Sequence, residues 1–405
     1  MGSPTRCDGG SGVWASSVSV AASLNARPLH IGLNLVFLVP GETGGMEVVA
    51  RELIPALIEA APSGMRFTAF VNREAAEAKD GPWGDLLAQV IVPVRARNRV
   101  QWVFGEQALL PRLAAREGVD LVHSLASTAP AWGGFRRVVT VHDLIYARFP
   151  EAHAGLRDLG MRVLVPLAVR RSDRVIADSQ STRDDLLELL GTSPERIDVA
   201  PLGLGAVRRC DPLGEAELRR RLGLGERRLV LSLSAKRPHK NLIALIGALA
   251  RISSDRRPLL VLPGYPTAHE AELRERVDEI GLREDVCFLG WLAPEELEGL
   301  WQAADAFVYP SLYEGFGLPV LEAMARAVPV ACSNTSSLPE VAGDAALLFD
   351  PDDEAAIAAA LERLLSDDVE AERLRASGLV RAREFTWERT ARDTLASYRR
   401  ALSCT

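Results

Sequence analysis

The residues with the clearest chemical potential lie in one run, at positions 311–322, directly after the apolar stretch AFVYP. Gly315 and Gly317 bracket Phe316, and a proline two residues further on suits the first turn of a helix. The backbone N–H groups near Gly317 and Leu318 would then point out of a helix N-terminus, which is a ready anion site. The run therefore predicts a strand, a glycine-containing turn that binds an anion, and a helix.

Two glutamates flank this predicted anion site. Glu314 comes before the turn, and Glu322 lies about one turn inside the helix. Carboxylates accept hydrogen bonds from sugar hydroxyls, so two of them beside a phosphate site suit a nucleotide-sugar. The alternative is an ordinary strand–turn–helix corner in which a glutamate only starts the helix.

Three basic residues stand before a predicted helix in the segment SAKRPHKN, namely Lys236, Arg237 and Lys240. They could form a solvated basic turn, but cations are unfavourable at a helix N-terminus. A diphosphate leaving group gains negative charge as its bond to a sugar breaks, and a positioned cation stabilises that charge. The segment is therefore interpreted as a phosphate contact.

Several other polar or aromatic residues follow predicted strands. His142 ends the strand VTVHD and is expected to face a cleft, whereas its neighbour Asp143 could orient the loop or cap a helix. His123 could line an acceptor pocket or belong to the core. Ser179 is read first as a helix cap and then as a donor contact, and Trp291 could stack on a base or pack in the core.

Short apolar runs alternate with helical patterns along the chain, which is typical of βαβ units and parallel sheets. We expect an α/β protein with two Rossmann-like, doubly wound parallel-sheet domains that face a central cleft. Ligands of such sheets bind at the carboxyl ends of the strands. The predicted strands cover residues 30–38, 66–71, 89–94, 120–123, 137–142, 173–177, 197–200, 229–234, 259–262, 286–289, 306–309, 329–331 and 346–349.

A Gly- and Pro-rich stretch after Pro201 divides the chain into two similar halves. We expect a mobile extension at residues 1–27, one Rossmann-like domain at 28–205, a second at 206–385 and a last helix at 386–405.

Composition excludes several classes of protein. The chain has 405 residues, a net charge of −7 and five scattered cysteines, so neither a basic nucleic-acid binder nor a disulfide framework is expected. No HExxH or HxxxH run occurs, the acidic residues Asp352 and Asp353 are expected to start a helix rather than bind a metal, and the first strand is followed by PGETGG rather than the G-x-G-x-x-G of dehydrogenases.

No apolar run reaches the ~18–20 residues that a membrane span needs. Residues 95–104 combine three Arg with two aromatic residues, which could contact an anionic membrane or a charged acceptor, or form only a loop and an amphipathic helix start. We expect a cytoplasmic protein, with peripheral contact at the inner membrane face left open. The sequence specifies no oligomeric state.

The segment EGFGLPVLEA resembles the E-x7-E motif of the retaining family-4 glycosyltransferases, enzymes of the GT-B architecture. Other segments agree with that family in order and spacing over about residues 30 to 385. They are the glycine loop with Gly44 and Gly45, VTVHD, IADSQSTRDDL, SAKRPHKNL and SSLPEVAGDAALLFDPDD.

The resemblance implies that the domain at 28–205 binds the acceptor, that the domain at 206–385 binds the nucleotide-sugar donor, and that the helix at 386–405 returns to the first domain. It also implies roles for individual residues. Glu322 would bind the ribose hydroxyls, and Glu314 with the backbone of residues 315–318 would hold the donor sugar and phosphate. Lys240 would neutralise the leaving diphosphate, His142 would lie near the transferred sugar, and no divalent ion would be required.

One position departs from the family's pattern. An Arg is usual five or six residues before the Lys, where this chain has Ala235 and Ser234. Lys236 or Arg237 is expected to substitute for it.

These observations together predict a retaining enzyme that transfers a hexosyl group, with mannosyl favoured, from a nucleotide-diphosphate sugar to a hydroxyl of a glycan, a lipid-linked or a small-molecule acceptor. No cofactor is expected beyond this co-substrate. A GT-B epimerase or phosphorylase is the alternative, followed by a non-catalytic nucleotide-sugar binding module.

Overall fold

A computed structural model of the chain describes residues 27–78, 81–149, 156–205 and 210–403. The extension expected at residues 1–27 lies outside the described residues, apart from Arg27. Among the described residues the chain forms two parallel sheets, one of seven strands and one of six.

The first sheet is built from the N-terminal half of the chain, and its strands run in the order β3-β2-β1-β4-β5-β6-β7. Its strands are β1 Leu29–Leu35, β2 Met65–Val71, β3 Ala88–Ile91, β4 Leu121–Ser124, β5 Arg136–Val141, β6 Arg174–Ala177 and β7 Ile197–Val199. The helices of this half are α1 Gly45–Ala60, α2 Arg73–Glu77, α3 Pro82–Asp85, α4 Arg99–Phe104, α5 Leu110–Arg116, α6 Ile145–Arg148, α7 Leu156–Arg171 and α8 Gln180–Leu190.

The second sheet repeats this plan with the order β10-β9-β8-β11-β12-β13. Its strands are β8 Leu229–Leu231, β9 Leu259–Leu262, β10 Val286–Phe288, β11 Ala306–Tyr309, β12 Val330–Ser333 and β13 Ala346–Phe349. The helices are α9 Glu215–Leu222, α10 Leu242–Arg251, α11 Glu270–Glu279, α12 Pro294–Ala303, α13 Leu318–Ala325, α14 Leu338–Ala342, α15 Glu354–Ser366, α16 Asp368–Ala382 and α17 Trp387–Ser403.

Every strand pair between named strands is parallel, and strands such as β4, β6, β9 and β11 are buried along their whole length. Parallel strands are covered on both faces, so they read as continuous apolar runs rather than alternating ones. This is why the sequence located all thirteen strands, and the doubly wound architecture is confirmed.

Two helical details differ from the sequence expectation. Residues 100–117 carry one continuous helical pattern, but a π-helical turn at Gly105–Leu109 breaks the helix, and there the buried Glu106 carboxylate accepts hydrogen bonds from Asn34 and Thr128. The sequence predicts a linker without periodicity over residues 202–215 and no helix directly after it, whereas α9 begins at Glu215.

The chain crosses between the two sheets twice, side by side. Helix α17 packs on α1 and on β5, β6 and β7, so it lies against the first sheet although it follows the second in sequence. Leu204 N donates to Phe385 O, and the Thr390 hydroxyl donates to Pro201 O. A Cβ at Gly203 would lie 2.3 Å from Trp387 N, so the two crossing segments are in direct backbone contact.

Candidate functional site

The strand order of the second sheet reverses between β8 and β11, and the crevice above such a reversal is the usual ligand site of doubly wound sheets. Lys240 lies in the loop after β8, and Glu314 lies in the loop after β11. The two residues that carry the predicted phosphate and sugar contacts therefore meet at the reversal point, 74 residues apart in the chain.

Lys240 and Glu314 form a tight ion pair in this crevice. The Lys240 ammonium donates to Glu314 Oε1 at 2.6 Å and to the Tyr309 hydroxyl at 3.1 Å, and the two charged side chains are only 14% and 12% exposed. Burial alone would lower the pKa of Lys240, but the Glu314 carboxylate outweighs it and holds the pKa well above its usual value. Lys240 is therefore a fixed cation at neutral pH.

The turn between β11 and α13 has the backbone of an anion site. Gly317 caps α13 with a φ of +107°, a left-handed conformation that favours glycine, and a Cβ there would lie 2.7 Å from Leu338. The Ser337 hydroxyl lies 2.9 Å from Glu314 O and 2.8 Å from Phe316 O, which fixes the turn. In the first turn of α13, Pro319 has no N–H group and Val320 N donates to Gly317 O, so the turn offers the N–H of Leu318 to an anion beside Glu314.

Phe316 and Glu322 contribute differently from one another. The Phe316 ring is buried edge-on against Phe385, so only its backbone can face the cleft. Glu322 lies half-buried in α13, one turn after the glycine cap. The ribose contact of Glu322 stays a prediction.

His142 ends the fifth strand of the first sheet and is held from both sides. Its Nδ1 lies 2.6 Å from Asp178 Oδ2, and its Nε2 lies 2.7 Å from Leu125 O. Burial would lower the pKa of His142, but the Asp178 carboxylate outweighs burial and raises the pKa to about 9. The loops after β4, β5 and β6 are thereby joined through one imidazole ring.

The two sheets bring these residues to a common crevice. A Cβ at Gly315 would lie 1.9 Å from the carbonyl oxygen of His142, so the E-x7-E turn and the histidine loop are in contact and only glycine fits. The Thr182 hydroxyl lies 3.3 Å from His142 O and 3.2 Å from Gly315 O. The structure therefore brings His142, Gly315, Glu314 and Lys240 together at one crevice, and their roles toward a donor stay predictions.

Two further side chains tie the domains together beside this site. The Tyr313 hydroxyl donates to Asp185 Oδ2 at 2.5 Å. The Glu340 carboxylate accepts hydrogen bonds at 3.0 Å from the backbone N–H groups of Gln180 and Ser181, at the start of α8. A carboxylate from one domain thus occupies a helix N-terminus of the other.

The predicted donor contact of Lys236 requires a correction. Its side chain is fully buried, and its ammonium donates to the carbonyl oxygens of Gly264 and Leu289. It also lies 3.5 Å from Glu270. Because these groups occupy its N–H donors, Lys236 ties together the loops after β8, β9 and β10, which leaves the exposed Arg237 as the candidate replacement for the usual Arg.

The glycine loop lies where the second domain approaches the first. Gly44 caps α1 with a φ of +65°, and Gly45 begins that helix. The Tyr265 hydroxyl of the second domain donates to Gly41 O in the same loop at 3.1 Å. The predicted contact of Gly44 and Gly45 with the donor stays a prediction.

The structure defines the surroundings of three residues for which the sequence allowed two interpretations each. His123 is buried between the Tyr398 and Thr140 hydroxyls, and burial lowers its pKa to about 3, so it is a neutral core residue rather than an acceptor contact. Ser179 caps α8 by accepting from Thr182 N. Trp291 is 74% exposed and tilted against Tyr265, with ring centroids 4.9 Å apart, so it does not pack in the core.

The basic segment at residues 95–104 has part of its charge paired. Arg95 forms an ion pair with Glu77, and Arg97 forms one with Glu42, while Val100 and Phe104 are exposed. Membrane contact of this segment stays a prediction. Among the described helices, none is both long and apolar enough to cross a membrane.

Among the residues that the structure describes, no group of three His, Cys, Asp or Glu side chains is placed to hold a metal ion. The acidic groups nearest the site are engaged instead with Lys240 and His142. The positive groups at this crevice are the Lys240 ammonium and the amide at the start of α13, with Arg237 exposed in the same loop as Lys240.

Sequence reasoning missed several residues that shape the site. Asp178 follows the strand RVIA directly, and its position at a strand end beside that of His142 was the available signal. Tyr309, Thr182 and Tyr313 carry no such signal, because their contacts come from parts of the chain 69 to 169 residues away.

Two family models match the chain. Residues 43–205 match Glycosyltransferase Family 4, and residues 215–379 match Glycosyl transferases group 1. The first match covers the first sheet except β1, and the second match covers the whole second sheet, so each domain is recognised separately.

Similar proteins of named activity include mannosyltransferases. The O-antigen chain mannosyltransferase B of Escherichia coli is 35% identical over 270 residues, which cover 65% of this chain and 70% of that protein. The MMP alpha-(1->4)-mannosyltransferase of Mycolicibacterium hassiacum is 31% identical over 315 residues, which cover 72% of this chain and 73% of that protein.

Solved structures share the fold at lower identity. A sucrose-phosphate synthase from Thermosynechococcus elongatus has a TM-score of 0.74 at 23% identity, covering 93% of this chain and 100% of that one. HepE from Anabaena, in complex with UDP-glucose, has a TM-score of 0.69 at 21% identity, covering 91% of this chain and 100% of that one. The architecture is thus GT-B, and the chain is a glycosyltransferase that belongs to family 4, the glycosyl transferases group 1.

Proposed function

We propose that this enzyme transfers a hexosyl group from a nucleotide-diphosphate sugar to an acceptor hydroxyl with retention of the anomeric configuration. The observation that supports this most is the buried Lys240–Glu314 pair, which stands at the strand-order reversal beside the glycine-capped start of α13. A cation, a hydrogen-bonding carboxylate and free backbone amides meet there, and these are the groups that an activated sugar requires.

The charge that develops on the leaving group is the main electrostatic demand of the reaction. As the bond between the anomeric carbon and the diphosphate oxygen breaks, negative charge grows on the phosphate. Lys240 and the N–H groups near Gly317 and Leu318 stabilise that charge in a site shielded from water. The donor phosphate takes over hydrogen bonds that Lys240 now makes to Glu314, which frees the carboxylate to accept from the sugar hydroxyls.

The acceptor oxygen attacks from the face that the diphosphate leaves. The bond from the acceptor oxygen to the anomeric carbon forms as the phosphate bond breaks, and the acceptor proton passes to the departing phosphate. The protein then contributes positioning and charge stabilisation, with Glu322 on the ribose and no protein nucleophile. Domain closure over the donor excludes water.

The first donor to test is GDP-mannose. Two relatives that are 35% and 31% identical to this chain over the matched residues are named as mannosyltransferases, and others are named as D-inositol 3-phosphate glycosyltransferases. The proposed acceptor is a hydroxyl of a glycan, a lipid-linked or a small-molecule compound. We also propose that no divalent ion takes part, since Lys240 supplies the positive charge.

The test is a donor and acceptor screen. Purified enzyme is incubated with GDP-mannose, UDP-glucose or UDP-galactose, with and without mannosides and inositol phosphate as acceptors, and nucleotide release is measured with and without EDTA. NMR of the product reports its anomeric configuration, and Glu314→Gln is the matched inactive control. Retained configuration and EDTA-insensitive rates support the proposal. An inverted product, conversion of the donor without acceptor, or tight binding with no turnover would contradict it.

A further inference from the structure

The histidine of the site has two hydrogen-bond partners that can only accept. Asp178 Oδ2 is a carboxylate oxygen and Leu125 O is a backbone carbonyl, at 2.6 Å and 2.7 Å from the two ring nitrogens of His142. A neutral imidazole has one N–H group, whereas an imidazolium has two. Both contacts are satisfied together when the ring of His142 is a cation and Asp178 is an anion.

The surroundings of Asp178 support this assignment independently. Its side chain is 2% exposed, and its second oxygen, Oδ1, is buried with no hydrogen-bond partner among the described residues. Burying a carboxylate that accepts so few hydrogen bonds costs folding free energy, unless a cation lies next to it. His142 supplies that cation.

Other charged or titratable groups lie near His142. His123 on β4 is neutral and buried, Asp143 follows His142 in the same loop, and Glu314 and Lys240 pair with each other in the same crevice. Burial opposes the charge on His142, and the carboxylates of Asp178 and Asp143 favour it. The nearest and best-aligned of these groups is Asp178.

We propose that Asp178 is a positioning residue that holds His142 as an imidazolium with both N–H groups fixed, so that His142 acts as a cation and an anchor and not as a general base. The anchored ring fixes the backbone carbonyl of His142 where it meets Gly315 of the second domain. The catalytic part of this inference rests on the proposed function, whereas the charge state of His142 does not.

The pH dependence follows from the sign of the shift. A raised pKa in the folded protein means that the ring is protonated at neutral pH and loses its proton as the pH rises through about 9. We expect turnover to fall above that pH. In Asp178→Asn the favourable carboxylate is lost while burial remains, so the ring loses its charge below its ordinary pKa.

Histidine NMR tests the charge state without any substrate. Enzyme labelled at histidine is titrated from pH 5 to 10, and the His142 signal is assigned from its loss in His142→Gln. The wild-type signal is expected to stay that of an imidazolium up to about pH 8, whereas in Asp178→Asn it titrates below its ordinary value of about 6.5. A wild-type midpoint at or below that value would overturn the proposal.

Two matched variants separate positioning from structural damage. Ser179→Ala removes the adjacent cap of α8 without touching the carboxylate, so it is expected to leave the His142 midpoint unchanged. Asp178→Glu keeps the negative charge and is expected to retain most of the raised midpoint. Equal midpoint shifts in Ser179→Ala and Asp178→Asn would overturn the proposal.

The pH–rate profile tests the catalytic consequence. Asp178→Asn is expected to lose about 10- to 100-fold in turnover at pH 8, the size of one charge-assisted hydrogen bond, and to recover part of it at low pH. If Asp178→Asn has a normal rate, and its rate falls at the same high pH as that of the wild type, the positioning role is contradicted. An imidazolium seen by NMR in a protein that uses no donor would instead count against the proposed function alone.

Discussion

Each sheet presents two basic side chains near the carboxyl ends of its strands, and the members of each pair have opposite environments. In the first sheet, His123 is held by two hydroxyls and His142 by a carboxylate. In the second, Lys236 donates to two carbonyls, with a carboxylate only at 3.5 Å, while Lys240 has one at 2.6 Å. In both sheets, the residue that faces the cleft is the one with the close carboxylate.

The difference shows how this fold keeps charge in a buried site. Burial disfavours the charged form of a base, and it lowers the pKa of both His123 and Lys236. Asp178 and Glu314 reverse that effect for His142 and Lys240, whose pKa values are raised. A close carboxylate, rather than the type of base, therefore distinguishes the two cleft residues, His142 and Lys240, from His123 and Lys236, which make structural hydrogen bonds.

The largest effect on turnover is expected from removing Lys240, the lysine that faces the cleft. Lys240→Ala takes away the charge that stabilises the leaving diphosphate and leaves Glu314 without its partner. Turnover should fall by about 100- to 1,000-fold, as when one preorganised donor to a developing anion is lost. The measurement is single-turnover transfer at saturating donor.

Lys240→Arg is the matched control for this change. It keeps the positive charge but alters its geometry, so an intermediate rate is expected. A near-normal rate in Lys240→Ala would remove the leaving-group role and would make the two lysines alike.

The second lysine should behave in the opposite way. Lys236→Met keeps most of the volume of the side chain but leaves the carbonyl oxygens of Gly264 and Leu289 without a donor. We expect a loss of about 1–3 kcal/mol in the free energy of unfolding, measured in urea, because buried acceptors are left unsatisfied. The donor KM of the folded enzyme should change little. A raised KM with unchanged stability would assign the phosphate contact to Lys236 after all.

The sequence located the strands, but it did not distinguish the two members of each pair of basic residues, since it assigned both Lys236 and Lys240 to the phosphate. The apolar runs located the strands, and EGFGLPVLEA placed Glu314 at the end of β11. Lys236 and Lys240 lie four residues apart in the same loop, and their environments depend on chain segments 28 to 74 residues away. Local pattern carries no information about such partners.

Asp178 also shows that a local sequence pattern does not reveal contact partners that are distant in the chain. Its position after a buried strand was visible in the sequence, yet its role depends on the order of strands in the sheet. Because β5 and β6 are neighbours, the residues that follow them, His142 and Asp178, come within 2.6 Å although they are 36 positions apart. The π-helical turn after α4 was likewise invisible, since it accommodates a buried network around Glu106.

The smallest effect on activity is expected at Glu340, a carboxylate that accepts hydrogen bonds from backbone N–H groups rather than from a basic side chain. Glu340 of the second domain accepts from the N–H groups of Gln180 and Ser181, so this contact exists only while the domains are together. Glu340→Gln removes the charge from the N-terminus of α8, an interaction of about 0.5–1 kcal/mol. The donor KM should rise about two- to fivefold as the closed state becomes less populated.

Glu295→Gln is the matched control, because Glu295 is an exposed acid in the first turn of α12, within one domain. Small-angle scattering should report a larger radius of gyration for Glu340→Gln than for Glu295→Gln, with equal unfolding midpoints. Equal radii and equal donor KM values in the two variants would show that the Glu340 contact does not hold the domains closed. A buried carboxylate would then affect activity only where it pairs with a side-chain cation, as Glu314 does with Lys240 and Asp178 does with His142.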